Sequence, residues 1–343
     1  MSTLIYANCM AGPYHIDDGL PCQDSYAIKE KDDLVFSAVA DGLGSELYSE
    51  IGSAIAANYV VNYCSEKITS DMTFEDAKKI MNNSYVEAYK AILAKATTDG
   101  NSQDEYDTTL CLAVYNCKTK KLMFGQSGDS GIVALLTNGK YLKVTEQQRD
   151  EDKSVYPLCF GPEKWEFGEI DDISAIAVMT DGVFEQFCPN LLKRSEININ
   201  VPLAARFLDR FNYPLDKVDE LQKASAEYLK NYPRYLLDDD KTIVAIINKD
   251  AVPSRQDNDY YKAPNWEELL EEREKMLHPD LDSTLQVNEV ISTEDQEHED
   301  PLSDKIEPVA GSVETTSNEL PTKQQPTMKQ NNYCVSDTNV KKK

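Results

Sequence analysis

Aspartates at five places in this 343-residue chain border apolar runs, a costly position for a charge. Asp24 opens a strand-like run, and Asp41 closes the next one in AVADGLGS (38–45). Asp129 stands in Gly128-Asp129-Ser130 between two more runs, Asp181 follows SAIAVMT (174–180), and Asp239-Asp240 precede TIVAII (242–247). Each alone reads as a turn former, since Asp-Gly suits a tight turn. Together, with few Lys or Arg beside them, they would repel one another unless cations sat among them. Hard divalent ions such as Mg²⁺ or Mn²⁺ prefer oxygen ligands and keep several waters. Two such ions about 4 Å apart would hold a bridging water, lower its pKa and present hydroxide to a phosphorus atom. Gly42 is expected to let a backbone carbonyl approach an ion's water shell.

These residues need a scaffold that brings strand ends together. Strand-like runs at about 24–29 and 33–40 are joined through Glu30-Lys31-Asp32, so the chain is expected to begin with antiparallel pairing. Small and apolar residues from Ser49 to Glu66 predict a helix that packs closely on a sheet. A second helix opens at Thr73, with Asp76 completing a capping box and Phe74, Ala77, Met81, Tyr85, Ala88 and Ile92 on one stripe. From Thr108 to Thr145 the runs TLCLAVYN, KLMFGQ, GIVALLT and KYLKVT read as a meander, with Asn138-Gly139 as a hairpin turn. A strand at about 173–179, helical segments near 201–210 and 216–230, and a strand at 242–248 follow. Strands in antiparallel blocks interrupted by helix pairs predict an α+β layered sandwich, not a doubly wound parallel sheet. No internal repeat is visible.

Composition divides the chain near residue 250. Residues 251–343 hold 20 acidic against 10 basic side chains and are rich in Ser, Thr, Asn, Gln and Pro. Such a stretch buries too little apolar surface to offset its ordering entropy, which predicts a folded domain over 1–250 and a mostly disordered acidic tail over 251–343. Within the tail, NWEELLEEREKML (265–277) has helical periodicity, with Asn265 as a candidate cap. A net charge of −25, about −15 of it over 1–250, argues against nucleic-acid and membrane partners. The amino terminus, MSTLIYANCMAGPYH, has no signal-like pattern and no run is long enough to span a bilayer, so a cytoplasmic location is expected. Eight cysteines without metal-like spacing read as reduced, mostly packed thiols.

The ordered series QD (23–24), ADGLGS (40–45), DTTL (107–110), SGDS (127–130), MTDGVFE (179–185) and DDDKTIV (238–244) resembles the metal-dependent PP2C-type protein phosphatases. The leading HxxxGxPCQD (15–24) is similar to their bacterial branch, and the resemblance spans about residues 1–250. It implies an α-β-β-α sandwich of two antiparallel sheets flanked by helices. It further implies a centre of two Mn²⁺ or Mg²⁺ ions, with Asp24, Asp41, Asp181 and Asp239 as metal carboxylates, Asp41 bridging and Gly42 giving its carbonyl. Asp129 matches the residue that can serve a third, weaker metal, and Thr108-Thr109 match a mainly structural element. The implied activity is hydrolysis of phosphoserine and phosphothreonine in phosphorylated proteins by direct attack of the metal-bridging water. A cognate Ser/Thr kinase is the implied opposing partner.

The match has departures. Leu43 stands where many members carry a histidine proposed as general acid, and the chain has no arginine before Arg149 to bind phosphate as animal-type members do. His15 is the candidate for either task, and an ordinary structural role for it stays open. Asp107 replaces a glycine and Asp240 a common asparagine. GDSG (128–131) also looks like the serine-protease nucleophile motif, but His15 is the one histidine before the tail and no partner base is in prospect. The remaining alternative is a phosphatase fold kept as a regulatory or binding module, which loss of a ligand carboxylate would favour. All four matched carboxylates are present.

Overall fold

The run LVFSAVAD (Leu34–Asp41) is apolar at nearly every position, the pattern of a strand covered on both faces. In the computed structural model, which describes residues 3–209 and 216–277, it is such a strand. Val35 and Val39 enter one core with Tyr115, Ile176 and Val244, whereas Phe36, Ala38 and Ala40 enter another with Met81 and Tyr85. The period of two therefore divides its side chains between two apolar layers.

The described residues form two five-stranded antiparallel sheets. One runs in the order β1 (Thr3–Met10), β10 (Lys241–Asn248), β9 (Ile173–Met179), β6 (Gly131–Leu136) and β7 (Tyr141–Lys143). The other runs β2 (Asp24–Lys31), β3 (Leu34–Asp41), β4 (Leu110–Asn116), β5 (Lys121–Ser127) and β8 (Glu166–Ile170). The sheets meet through the core that holds Val35, Tyr115 and Val244. Helices α2 (Ser49–Lys67) and α3 (Phe74–Asp99) cover the outer face of the second sheet. Helices α4 (Asp181–Phe187), α5 (Val201–Leu208) and α6 (Val218–Lys230) cover the first, with Phe184, Phe207 and Leu221 packed on Tyr6 and Leu135. This is the expected α+β sandwich. Thr73 caps α3 as the sequence predicts: its Oγ1 accepts from the Asp76 backbone N–H at 3.3 Å and donates to the Asp76 carboxylate at 3.0 Å.

The expected meander over 108–145 is two hairpins in different sheets. β4 and β5 pair with each other, but the chain then crosses at Gly128–Ser130 and β6 pairs with β7 and β9 instead. Gly128 makes that crossing with φ of 101°, where an added Cβ would also lie 2.6 Å from the Thr109 methyl. Besides α4, three elements escaped the sequence reading. β1 pairs with β10 over eight residues, from Thr3 opposite Asn248 to Met10 opposite Lys241. α1 (Pro13–Asp18) is a six-residue helix with proline in its first turn, and β8 is a charged edge strand. Past β10 the chain follows the β6–β7 hairpin: the Ser254 N–H donates to the Thr137 carbonyl at 2.8 Å, and the Tyr141 N–H donates to the Tyr260 hydroxyl at 2.7 Å. A final helix, α7 (Trp266–Leu277), has Asn265 at its start. The rest of the expected tail, from residue 278, lies outside the described residues. Among the described residues no helix is long and apolar enough to cross a membrane.

α2 lies close on the chain that leads into β4 because Gly52 has no side chain. A Cβ there would fall 1.9 Å from the Tyr106 carbonyl oxygen. Gly52→Ala is therefore expected to destabilise the fold by about 3 kcal/mol, the upper range for overpacking. Asn58→Ala, on the exposed face of the same helix, should stay within about 0.5 kcal/mol of wild type. Urea denaturation of the two variants measures the contrast, and equal stabilities would contradict the packing argument.

Candidate metal centre

The sheet registers gather the aspartates at one end of the sandwich. Asp24, first residue of β2, pairs directly with Asp41, last residue of β3. Asp181 opens α4 just beyond β9, Asp239 and Asp240 lead into β10, and β9 and β10 pair with Met179 opposite Ile243. Asp129 lies in the crossing from β5 to β6, whose Gly131 is also opposite Met179. Thr108 and Thr109 brace the end of β3: the Thr108 hydroxyl donates to the Asp41 carbonyl at 2.8 Å, and the Thr109 Oγ1 accepts from the Asp41 N–H at 3.0 Å.

Carboxylate oxygens of Asp41, Asp129 and Asp181 lie within 4.8 Å of one another. These three and Asp239 line a cavity of about 160 Å³ together with Gly42 and His15. Asp24 does not line it. Its carboxylate is buried beside Asp41, with Oδ2 accepting from the Thr180 hydroxyl at 2.7 Å and Oδ1 without a partner. The glycine at position 42 also has a packing cause. A Cβ there would meet the Ser49 carbonyl oxygen at 2.6 Å, so Gly42 is required by the seating of α2.

His15 and Asp240 form a buried pair, with Nδ1 2.7 Å from Oδ1 and side-chain exposures of 6% and 3%. Asp240 also accepts from the Gly12 N–H at 2.7 Å and the Gln23 N–H at 2.6 Å. One carboxylate at the start of β10 thus fixes the turn before α1, the imidazole of α1 and the residue preceding Asp24.

Burial and crowding push the cluster's pKa values upward. For Asp41 burial is the largest cause, followed by the charges of Asp24, Asp181, Asp239 and Asp129, and the shift is large. Burial also raises Asp24 well above the ordinary range, and raises Asp129 and Asp239. Asp181 is pushed up to about 7 by burial first, then by Asp129 and Asp239. A set of acid oxygens with raised pKa values, one of them buried without a donor, fits divalent cations, which would favour the ionised forms.

One residue the sequence reading passed over stands among these acids. Arg149 places Nη2 2.6 Å from Asp129, 3.0 Å from Asp181 and 3.1 Å from Glu185. It comes from the segment after β7, where residues 149 and 155 bridge and Val155 lines the cavity. Burial disfavours the guanidinium's charge, but Asp129, Asp181 and Glu185 outweigh that and raise its pKa. The sequence reading weighed only arginines early in the chain, whereas the fold returns the later Arg149 to these acids.

A family model described as Protein phosphatase 2C matches residues 11–229. The chain belongs to that family. Among solved structures, a bacterial serine phosphatase variant aligns at 12% identity over 74% of this chain and 98% of that one, with a TM-score of 0.50. A C. elegans sex determining protein aligns at 13% identity over 74% of this chain and 66% of that one, also at 0.50. RsbX in complex with magnesium aligns at 16% identity over 71% and 94%, with a TM-score of 0.44. At such identities the likeness concerns the fold alone. No curated protein matches the chain.

Two outcomes follow from the electrostatics. Arg149→Met, which keeps the apolar stem and removes the charge, should destabilise the metal-free protein by about 2 kcal/mol, the scale of a lost charged hydrogen bond. The same variant should bind Mn²⁺ more tightly than wild type, because the internal cation no longer competes; weaker binding would contradict this. The second outcome is a pH dependence. Because the folded pKa of Asp181 is raised from 3.8 to about 7, its contribution to stability is full below 3.8 and is lost as pH rises towards 7. In chelator, wild type should therefore lose thermal stability relative to Asp181→Asn across that window, and Mn²⁺ should reduce the loss. A constant difference across the window would contradict it.

Proposed function

We propose that the protein is a metal-dependent phosphatase acting on phosphoserine and phosphothreonine in proteins. The observation that supports this most is the convergence of Asp41, Asp129, Asp181 and Asp239 on one cavity, with Asp24 buried alongside. Membership of the Protein phosphatase 2C family supports the same reading. Asp24, Asp41, Asp181 and Asp239, with the Gly42 carbonyl, would hold two Mn²⁺ or Mg²⁺ ions, and Asp129 would help hold a third. When bound, such ions lower the pKa of a water and offset charge on the phosphoryl oxygens.

The chain's own groups have the following parts. Arg149 offsets the charge of Asp129 and Asp181 and would be the cationic side chain nearest the phosphoryl group. His15 gives its Nδ1 proton to the hydrogen bond with Asp240, which fixes the ring as a carboxylate partner fixes a catalytic imidazole. A proton carried on Nε2 then passes to the departing seryl oxygen. This assigns to His15 the general-acid task that Leu43 cannot perform. Substrates are phosphorylated proteins, opposed by a cognate Ser/Thr kinase, and the site of action is the cytoplasm. Residues 1–250 form the phosphatase domain, and the acidic stretch from 251 is an appendage to it.

Asp41→Asn should reduce Mn²⁺-dependent hydrolysis of a phosphoserine peptide to background, and chelator should do the same to wild type. Metal binding without turnover in wild type would instead support a binding module. His15→Gln should slow phosphoserine hydrolysis roughly a hundredfold, the lower range for general acid–base catalysis. It should slow p-nitrophenyl phosphate hydrolysis far less, because nitrophenolate leaves without a proton. Equal losses on both substrates would assign His15 a structural role only.

A further inference from the structure

Among the described cysteines, Cys9 and Cys22 are the pair in contact, their Sγ atoms 3.7 Å apart. Both thiols also face one acceptor, the Asp24 carbonyl oxygen, at 3.5 Å from Cys9 and 3.9 Å from Cys22. Cys9 lies near the end of β1 in one sheet, and Cys22 lies two residues before the start of β2 in the other. Both are half-buried, whereas Cys64 and Cys111 are buried. Cys117 and Cys159 have separate acceptors, the Asp33 carbonyl and the Asp107 carboxylate.

We propose that Cys9 and Cys22 are a redox modification site: peroxide joins them in a disulfide, and that bridge weakens divalent-cation binding at Asp24. One thiol sulfur attacks a peroxide oxygen, the O–O bond breaks, and a sulfenic acid and one water form. The second thiol sulfur attacks the sulfenic sulfur, the S–O bond breaks, and the hydroxyl leaves with the second thiol's proton as water. Two thiols and one hydrogen peroxide thus give one disulfide and two waters, with both sulfurs oxidised and the peroxide reduced.

The effect on the site follows from geometry. A disulfide requires about 2.05 Å between sulfurs, so the present 3.7 Å must contract by more than 1.5 Å. Both S–H contacts to the Asp24 carbonyl are lost with the protons. The backbone that has to follow is not free. The Gln23 N–H is held by Asp240, and the Gln23 carbonyl accepts from the Gly42 N–H at 3.1 Å and the Ser53 hydroxyl at 2.6 Å. A shift of Cys22 therefore passes to Asp24 on one side and Gly42 on the other.

The second half of the proposal rests on reading Asp24 as a ligand; the first does not, and the test separates them. Tryptic peptide 1–29 carries both cysteines and no other. After stoichiometric hydrogen peroxide, full-length protein should yield this peptide lighter by two hydrogens and resistant to alkylation. Calorimetric titration of the same sample with Mn²⁺ should show affinity weakened roughly tenfold, the scale for disturbing groups behind metal ligands, and restored by dithiothreitol. Cys9→Ser and Cys22→Ser should each bind Mn²⁺ equally before and after peroxide. A peptide that takes up two alkyl groups or gains oxygen overturns the disulfide. A mapped disulfide with unchanged Mn²⁺ affinity overturns its effect on the site. If the reduced protein binds no Mn²⁺, the metal reading fails and the second half with it, while the disulfide is judged on the peptide alone.

Discussion

Carboxylates crowded at the end of two sheets raise one another's pKa, and the sandwich holds them there because backbone pairing, not side-chain attraction, sets their positions. Asp24 and Asp41 are opposite partners in a ladder of eight pairs, and neither can retreat without unpairing β2 from β3. The ends of β9 and β10 are fixed in the same way. A large hydrophobic interior therefore supports a small region that is electrostatically unfavourable by itself. That arrangement favours a cation, and Arg149 supplies one to Asp129 and Asp181.

The second organising feature is Asp240. Its buried carboxylate accepts from two backbone N–H groups and faces one imidazole nitrogen, tying the β1–α1 turn and the approach to β2 onto β10. β10 belongs to one sheet and β2 to the other, so this residue joins the two halves of the sandwich at the site end. The consequence is a division of labour between neighbours: Asp239 faces the cavity, while Asp240 supports the segments that frame it. The thiols of Cys9 and Cys22 lie on two of the segments that Asp240 and its partners hold, which gives them leverage on Asp24.

Much of this was legible in the sequence because apolar periodicity and turn chemistry agreed. The stripe from Phe74 to Ile92 and the cap at Thr73 defined α3, and the apolar runs ending in Asp41 and Asp181 located two corners of the site. What escaped had weak local signals. α1 is six residues long, too short for a helical period, and β8 (EFGEI) carries charges as an edge strand does. β1 is fixed by its eight-residue ladder with a strand more than 230 residues later, a partnership that no local pattern encodes. The split of the supposed meander depended on Gly128, a single residue that turns the chain from one sheet to the other. Arg149 sits in a polar segment without periodicity, and its place among the acids is a product of tertiary folding. For the pair Asp239-Asp240 the resemblance singled out Asp239, and what stayed hidden was that the N–H groups of Gly12 and Gln23 hold Asp240 away from the cavity that Asp239 lines.

The central claim is that the strand-end aspartates form a cage for divalent cations. Anomalous diffraction at the manganese edge, from crystals of the full chain grown with Mn²⁺, addresses it directly. The account predicts anomalous peaks inside the cavity, bounded by Asp41, Asp181 and Asp239 and adjoining Asp24, with Arg149 drawn away from Asp181. Crystals saturated with Mn²⁺ in which the cavity carries no anomalous signal and Arg149 still bridges Asp129 and Asp181 would contradict it.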